Sequence, residues 1–129
     1  MVEKAIYSKL SGDADVSALV SSRIYPVNLP QKPTYPSIVY SRVSGERTHS
    51  LSGASNLASP RVQVDAFATT YSEVKDLAAK IRAALNGYRG TVAGITIHGI
   101  FLESDNDIFD DDFEVYRITS DYFIHYKET

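Results

Sequence analysis

The chain has 129 residues, no cysteine and a formal net charge of −3 at pH 7. A chain of this length predicts one domain, residues 1–129, with a core large enough to need no cross-links. The absence of cysteine excludes disulfides, thiol catalysis and thiolate metal sites within it. The charged N-terminus does not resemble a secretory signal, and no apolar run reaches the ~20 residues of a membrane span.

The charge is distributed unevenly along the chain. Residues 1–102 hold eleven Lys and Arg against seven Asp and Glu, whereas residues 103–129 hold two against nine. The net charge argues mildly against a dedicated nucleic-acid binder. The pattern indicates a basic body with an acidic C-terminal end.

Two short helices are predicted at the start of the chain. Apolar residues at helical spacing indicate the first over residues 2–10. The second is expected over residues 15–22, with Gly12 suited to the preceding C-cap and Asp13 or Asp15 to the N-cap. Both helices have one apolar face, so both should pack on a core.

An extended segment and the first strand should follow. Four of the five prolines lie between residues 26 and 36. Because proline lacks a backbone donor and has a fixed φ, residues 23–36 are expected to be extended and irregular. The β-branched and aromatic run at 37–43 predicts a strand. Residues 44–59, rich in Ser, Gly and Asn, predict a long polar loop.

The remaining elements are more regular. Alternating residues at 61–68 predict a strand, and a capping box of Thr70 and Glu73 opens an amphipathic helix that ends at Asn86. Residues 91–103 predict a strand interrupted by glycine, with a bulge at Gly94 or Gly99. Residues 113–127 predict a long final strand.

The predicted order α-α-β-β-α-β-β indicates an α+β fold. We expect a four-stranded antiparallel or mixed sheet with the helices on one face. The opposite face should meet water or a partner, because it mixes apolar and charged side chains. Its expected members are Phe67, Val115, Arg117, Asp121, Phe123 and His125.

The stretch ESDNDIFDDD, residues 103–112, carries six carboxylates and should form the loop before the last strand. Asp105 and Asp107 match the first and third ligand positions of a calcium loop, but Tyr116 stands where a bidentate Glu is needed. A two-metal site requires carboxylates that converge from different elements. We therefore favour a solvated connection over a cation site, although the apolar Ile108 and Phe109 should pack on something.

No enzymatic motif accompanies this stretch. The three histidines, at 49, 98 and 125, show no metal-binding spacing. Nucleophile-elbow and phosphate-binding glycine motifs are absent. The nine tyrosines lie mostly on predicted strands without a basic stripe, so they do not indicate a base-stacking surface. We predict a non-enzymatic protein without cofactor or metal.

The chain resembles the tail-completion, or head-to-tail joining, proteins of long-tailed phages, also called tail terminators. The resemblance begins with Arg23-Ile24-Tyr25-Pro26, Leu29-Pro30 and Pro36-Ser37-Ile38-Val39-Tyr40. It continues with Arg61-Val62-Gln63-Val64-Asp65-Ala66-Phe67-Ala68, Tyr71 and the amphipathic helix. It ends with the acidic stretch, Tyr116-Arg117 and Asp121-Tyr122-Phe123. These motifs are individually short, but they occur in the right order over nearly the whole chain.

The resemblance implies a structural virion protein, assembled in the host cytoplasm from a phage or a prophage gene. It implies a homo-oligomeric ring, typically of six, at the joint between tail and head. The implied partners are the tail-tube protein and the head-tail connector protein, with DNA only passing through the channel and no membrane. The polar loop 44–59 would then be an arm that orders on assembly, and head-to-tail contacts would suit the uneven charge.

Assembly surfaces are predicted as regions of the chain rather than as single contacts. The candidate interface or channel residues are Arg42, Arg47, Leu51, Leu57, Arg61, Asp105, Asp107, Phe109, Asp110, Asp111 and Asp112. The acidic stretch could contact a basic surface of a neighbour or line the channel so that DNA does not adhere. Two other functions stay open: a metal-dependent hydrolase that uses residues 103–112, and a small cellular ligand-binding module.

Overall fold

The computed structural model describes residues 2–44, 47–50, 53–58, 61–112 and 114–127. Three helices and eight strands occur in these ranges. The helices are α1 (Val2–Ser11), α2 (Ala14–Val20) and α3 (Tyr71–Leu85). The strands are β1 (Ile24–Pro26), β2 (Ser37–Ser44), β3 (Arg47–Ser50), β4 (Gly53–Ala58), β5 (Arg61–Ala68), β6 (Gly90–Val92), β7 (Ile95–Asp110) and β8 (Val115–Lys127).

All eight strands belong to one mixed sheet. Strands β2, β5, β8 and β7 are neighbours in that order, with β1 outside β2 and β6 beside the start of β7. Strand β4 pairs with the end of β8, and β3 pairs with β4. Only the β1–β2 pairing is parallel among these pairs. The predicted α+β class and mixed sheet are confirmed, but the prediction of four strands is wrong.

Most of the additional strands are short. Residues 44–59, predicted as a loop, contain the hairpin β3–β4, in which Arg47 faces Ala58. A strand ladder is made by backbone groups, so a polar sequence with few apolar residues can still form one. The predicted strand 91–103 begins instead as β6, turns at Ala93 and Gly94 with φ of 53° and 77°, and continues as β7. Two successive positive φ angles are typical of a tight hairpin turn.

The helices cover one face of the sheet and enclose the main core. Every second residue of β5 and β8 points to this face, and Val62, Val64, Ile124 and Tyr126 are buried there. Helix α1 contributes Val2, Ala5, Ile6 and Leu10; α2 contributes Val16 and Val20; α3 contributes Val74, Leu77, Ile81, Ala84 and Leu85. The predicted apolar helix faces are thus confirmed.

The predicted helix starts are also confirmed. Oδ1 of Asp13 accepts hydrogen bonds from the backbone N–H groups of Asp15 and Val16, each over 3.0 Å. Oγ1 of Thr70 accepts one from the N–H of Glu73 over 3.2 Å. Each side chain satisfies donors that the first turn of a helix leaves unpaired.

The opposite face of the sheet is partly covered by the chain itself. Residues 27–35, here named the proline strap, cross this face, and Leu29 and Tyr35 pack on Val39, Phe67 and Val115. Phe67 and Val115 are therefore buried, although the sequence predicted a face open to water or a partner. The prediction of an open face is wrong because an irregular segment can bury apolar side chains against a sheet even though it has few backbone donors.

Candidate assembly surface

The acidic stretch is not a loop. Residues 103–110 continue β7, where Asp107 faces Ile118 and Asp110 faces Val115. The chain reverses between Asp110 and Val115, where Glu114 has a φ of 54° and the N–H of Asp112 donates to Oδ1 of Asp110 over 3.0 Å. Residue 113 lies outside the described part. We call residues 103–114 the acidic ribbon.

Residues 104–110 extend β7 because β8 offers each of them a cross-strand partner, from Asp121 opposite Ser104 to Val115 opposite Asp110. Strand pairing tolerates charged side chains when they stay in water, and most ribbon residues are exposed. One extra residue stands between the pairs Leu102–Tyr122 and Ser104–Asp121, which places a β-bulge at Glu103. A second irregularity lies between Ile97 and Gly99, beside one of the two glycines, Gly94 and Gly99, at which the sequence predicted a bulge.

Strand geometry separates the carboxylates. Asp105 and Asp107 lie opposite Ser120 and Ile118 and share the helix-covered face, whereas Asp110 shares the other face with Val115. Among residues 2–44, 47–50, 53–58, 61–112 and 114–127, no three Asp, Glu or His side chains are grouped as a metal site requires. The carboxylates of the ribbon are therefore spread along one edge of the sheet and do not converge on a single point.

Asp107 is held by two side chains of α3. Its Oδ2 accepts a hydrogen bond from the Tyr71 hydroxyl over 2.6 Å and lies 3.5 Å from Nζ of Lys75. The hydrogen bond from Tyr71, with the positive charge of Lys75, holds the pKa of Asp107 below its ordinary value. The pKa of Lys75 is raised in turn, chiefly by the charge of Asp107. This contact attaches the ribbon to the helix.

An aromatic cluster supports the same contact. The rings of Phe109 and Tyr116 meet edge to face with their centroids 4.9 Å apart, and those of Tyr71 and Tyr116 are 5.7 Å apart. Edge-to-face pairs at these distances are favourable. Phe109 nevertheless keeps 47% of its surface exposed, and Ile108 keeps 42%. The prediction that Ile108 and Phe109 pack on something is therefore confirmed in part, since Phe109 packs on Tyr116 of the same chain.

Arg61 contacts the inner end of the ribbon. Its Nε lies 3.7 Å from Oε2 of Glu103, and its guanidinium carbon is 5.7 Å from the ring centroid of Phe123. Both charged side chains are more than one-third exposed. The pair therefore contributes little to stability, but it directs the Arg61 side chain toward the acidic ribbon of its own chain.

Arg42 lies in a different place, at the end of β2. It is exposed beside a groove of about 780 Å³ between α1, the end of β1 and β2. Tyr7, Tyr40 and Val27 supply apolar walls, and Val27 is 68% exposed. Its charged lining residues are Glu3 and Lys4 of α1 and Arg42 of β2, so the groove joins an apolar surface to one net positive charge.

The structure thus divides the predicted interface residues into three groups. Asp105, Asp107, Phe109, Asp110, Asp111 and Asp112 lie on the ribbon, with Arg61 at its inner end. Arg42 lies at the groove. The backbones of Arg47 and Leu57 lie in the β3–β4 hairpin, where Leu57 faces Lys127, and Leu51 is outside the described residues. The placement of these residues within one chain does not test the predicted contacts with other chains.

Sequence reasoning missed the partners of Asp107. Tyr71 and Lys75 are four residues apart on α3 and therefore share a face, which could have indicated a joint contact. The ion pair between Asp65 and Arg117 was missed for another reason. These residues belong to different strands, and their pairing depends on the register of β5 against β8.

The fold recurs in a solved virion structure. A chain of the structure titled "Virion of native gene transfer agent (GTA) particle" superposes with a TM-score of 0.75 at 19% identity. The match covers 96% of this chain and 92% of that chain. At this identity the match shows a shared α+β fold. A comparison with curated proteins gave no significant match.

A family model identifies the class of protein. The model of tail completion protein gp17 matches residues 4–127, almost the entire chain. The chain is therefore a structural protein of the phage tail and belongs to the tail completion protein gp17 family. The resemblance inferred from the sequence is confirmed. In the described ranges, no helix is both long and apolar enough to cross a membrane.

Proposed function

We propose that this protein forms a homo-oligomeric ring of six copies that caps the completed tail tube and joins the tail to the head. Membership of the tail completion family is the observation that carries this proposal. The ring would bind the tail-tube protein on one side and the head-tail connector protein on the other. DNA would pass through its channel, and no catalysis, metal or cofactor would be needed.

The surfaces of the chain suit contacts between different sides of neighbouring copies. The acidic ribbon lies at one edge of the sheet, while the groove, whose charged residues are Glu3, Lys4 and Arg42, lies beside β1 and β2 toward the other. A ring closes when each copy offers one surface to a different surface of the next. We propose that Asp111 and Asp112, exposed at the tip of the ribbon, meet the basic surface of a neighbour.

Asp107 plays a different part in this proposal. Its carboxylate is already bonded to Tyr71 and Lys75 of its own chain. We assign it to bracing the ribbon, so that the exposed carboxylates are held on a rigid element. Rigid interface elements lose less conformational entropy on binding than mobile loops do.

The ring is tested by light scattering over a wide concentration range, with and without isolated tail tubes, followed by negative-stain imaging. We expect monomers at low concentration, and rings at high concentration or at tube ends. A protein that stays monomeric and never binds tube ends would contradict the joining role.

The contact surface is tested by charge reversal. Arg42→Glu alone, and Asp111→Lys with Asp112→Lys, should each weaken ring formation. The combined variant should recover part of it if these surfaces meet. A combined variant weaker than either parent would show that they do not.

A further inference from the structure

The exposed apolar side chains of the described residues include two separate groups. Tyr7 and Val27 line the groove between α1, β1 and β2, and Val27 is 68% exposed, more than any other large apolar residue in these ranges. Ile108 and Phe109 lie on the acidic ribbon and keep 42% and 47% of their surfaces exposed. Clustered exposed apolar side chains with polar surroundings are typical of protein–protein contacts.

The backbone holds Val27 at the groove in an unfavourable conformation. Its φ is 68°, which β-branched residues seldom adopt, and its N–H donates to the carbonyl oxygen of Tyr40 over 2.9 Å. Because the side chain is exposed, it adds little core packing that would offset the strain. Strained residues concentrate at functional sites, so this wall of the groove is suited to contact with another molecule.

The two apolar groups cannot cover each other within one chain. The pairing of β2, β5, β8 and β7 places four residues in one row across the sheet: Tyr40, Val64, Ser120 and Asp105. Phe109 lies four residues beyond Asp105 on β7. Three strand spacings of about 4.8 Å and four residues of about 3.3 Å separate Tyr40 from Phe109 by roughly 20 Å. Any contact between the groove and the ribbon must therefore join two copies.

The two surfaces are complementary in charge as well as apolar. The ribbon, residues 103–114, holds seven Asp and Glu and no Lys or Arg. The groove has one net positive charge, and its Arg42 stands two residues beyond Tyr40 on β2. On the ribbon, Asp111 likewise stands two residues beyond Phe109. Each surface thus places a charged side chain next to an apolar one, and the two charges are opposite.

We propose that the groove of one copy receives Ile108 and Phe109 of the next copy, and that this apolar contact supplies most of the affinity between neighbours. The inference rests on the proposed ring and specifies its interface. A few buried apolar or aromatic residues usually carry the affinity of an interface, while charges at its rim direct the approach. The contact joins different surfaces of the two copies, as a closed ring requires.

Paired variants test whether the two surfaces meet. The groove variant, Val27→Asp, keeps an intact ribbon; the ribbon variant, Ile108→Ser with Phe109→Ser, keeps an intact groove. Asp adopts a positive φ more readily than Val does, so the groove variant should melt at or above the wild-type temperature. Where the wild type forms rings, sedimentation velocity should show each variant alone as a monomer. An equimolar mixture should form dimers and stop, because each mixed pair has one intact contact.

Two exposed apolar residues provide matched controls, Phe101→Ser and Val43→Asp. Both residues are about half exposed, but neither lies on the ribbon or lines the groove. The control variants should form rings at the same concentration as the wild type. The groove and ribbon variants should need about tenfold more protein or beyond, as expected when a central apolar contact is lost.

Cross-linking detects the contact without complete rings and with less disturbance of the ribbon. The chain has no cysteine, so Val27→Cys and Phe109→Cys each introduce a single thiol. A mixture of these two proteins treated with a short bismaleimide should give linked dimers. A mixture of Val27→Cys with Phe101→Cys should give far fewer.

Several results would overturn this interface while leaving the ring in place. Rings that form equally well from the test and control variants would show that the apolar side chains lie outside the contact. A mixture that stays monomeric, or one that forms complete rings, would show that the groove and the ribbon do not meet, as would equal cross-linking through Phe101→Cys and Phe109→Cys. A wild type that never forms rings and never binds tube ends would instead overturn the ring itself, and this interface with it.

Discussion

The Tyr71 hydroxyl donates a hydrogen bond to Asp107 over 2.6 Å and thereby joins the first turn of α3 to the outer half of β7. Lys75 lies one helical turn further along and 3.5 Å from the same carboxylate oxygen. The acidic ribbon is therefore a braced extension of the sheet. Its exposed charges are presented at defined positions, which suits a repeated contact between copies.

We predict that Asp107→Ala lowers the melting temperature at pH 7, because it removes the acceptor of Tyr71 and the partner of Lys75. The control is Asp105→Ala, an exposed carboxylate two residues earlier on the same face, which should change the melting temperature less. Calorimetry on both variants makes the comparison. An equal effect of the two substitutions would contradict a bracing role for Asp107.

The same contact predicts a pH dependence. The pKa of Asp107 is below its ordinary value of 3.8, so its contribution to stability is complete above about pH 4 and is lost as the pH falls through the lowered pKa. The melting-temperature difference between wild type and Asp107→Ala should therefore shrink under strongly acidic conditions. A difference that persists unchanged there would show that the charge is not responsible.

The exposed acids should act through their summed charge. Replacing Asp105, Asp111 and Asp112 with Asn should leave the melting temperature unchanged or slightly raised, since repulsion is relieved. If these residues meet a basic neighbour, the variant should form rings more weakly, and high salt should have the same effect on the wild type. If they line the channel, rings should form while DNA passage falls. Light scattering and infectivity assays distinguish the two outcomes.

A metal site predicts a different response of the same variant. Bound calcium, magnesium or manganese at millimolar concentration would raise the melting temperature of the wild type by mass action but not that of the triple variant. We expect no such difference. A clear, variant-sensitive rise would favour the metal-dependent class.

The β3–β4 hairpin should serve assembly rather than folding. Arg47 and Ala58 are cross-strand partners, so residues 48–57 can be replaced by Asn-Gly, which makes a two-residue turn. We expect a cooperative thermal transition close to that of wild type, since β4 shares only two backbone pairs with β8 in the described residues. Ring formation should be impaired. Loss of the transition would show that the hairpin belongs to the folding core.

Tyr122 should make stability depend on alkaline pH. Burial raises its pKa to about 12, with a smaller opposing effect of Arg82. Because the unfolded chain ionises near pH 10, the stabilisation is complete below pH 10 and is lost as the pH rises toward 12, by roughly 2–3 kcal/mol. Tyr122→Phe should flatten this fall in urea-unfolding curves. An unchanged slope would show that Tyr122 ionises normally.

The helices and strands that the sequence predicted share one property: their signals are local. The apolar stripe of α3 repeats at the helical period, and β5 alternates with a period of two. Thr70 and Asp13 cap helices through neighbours within three residues. These patterns depend on backbone geometry that is nearly independent of the rest of the chain, so the amino acids alone indicate them.

The elements that sequence reasoning misplaced depend on distant partners. Residues 103–110 look like a loop because they are acidic, yet β8 supplies backbone partners that extend β7 through them. The hairpin within residues 44–59 and the parallel strand β1 likewise exist through pairing with other strands. Backbone hydrogen bonds carry little sequence signature, and therefore such strands escape a search for apolar patterns.

The sequence by itself determined the α+β class, the three helices, the uneven charge and the resemblance to tail-completion proteins. Only the tertiary structure decided that the acids lie along a strand edge, that Asp107 is bonded to α3, and that the proline strap encloses Asp65 and Arg117. The physical reason is that local propensities set each segment's conformation, whereas strand register determines which side chains become neighbours. A one-residue change of register would exchange the faces of the ribbon and remove these contacts.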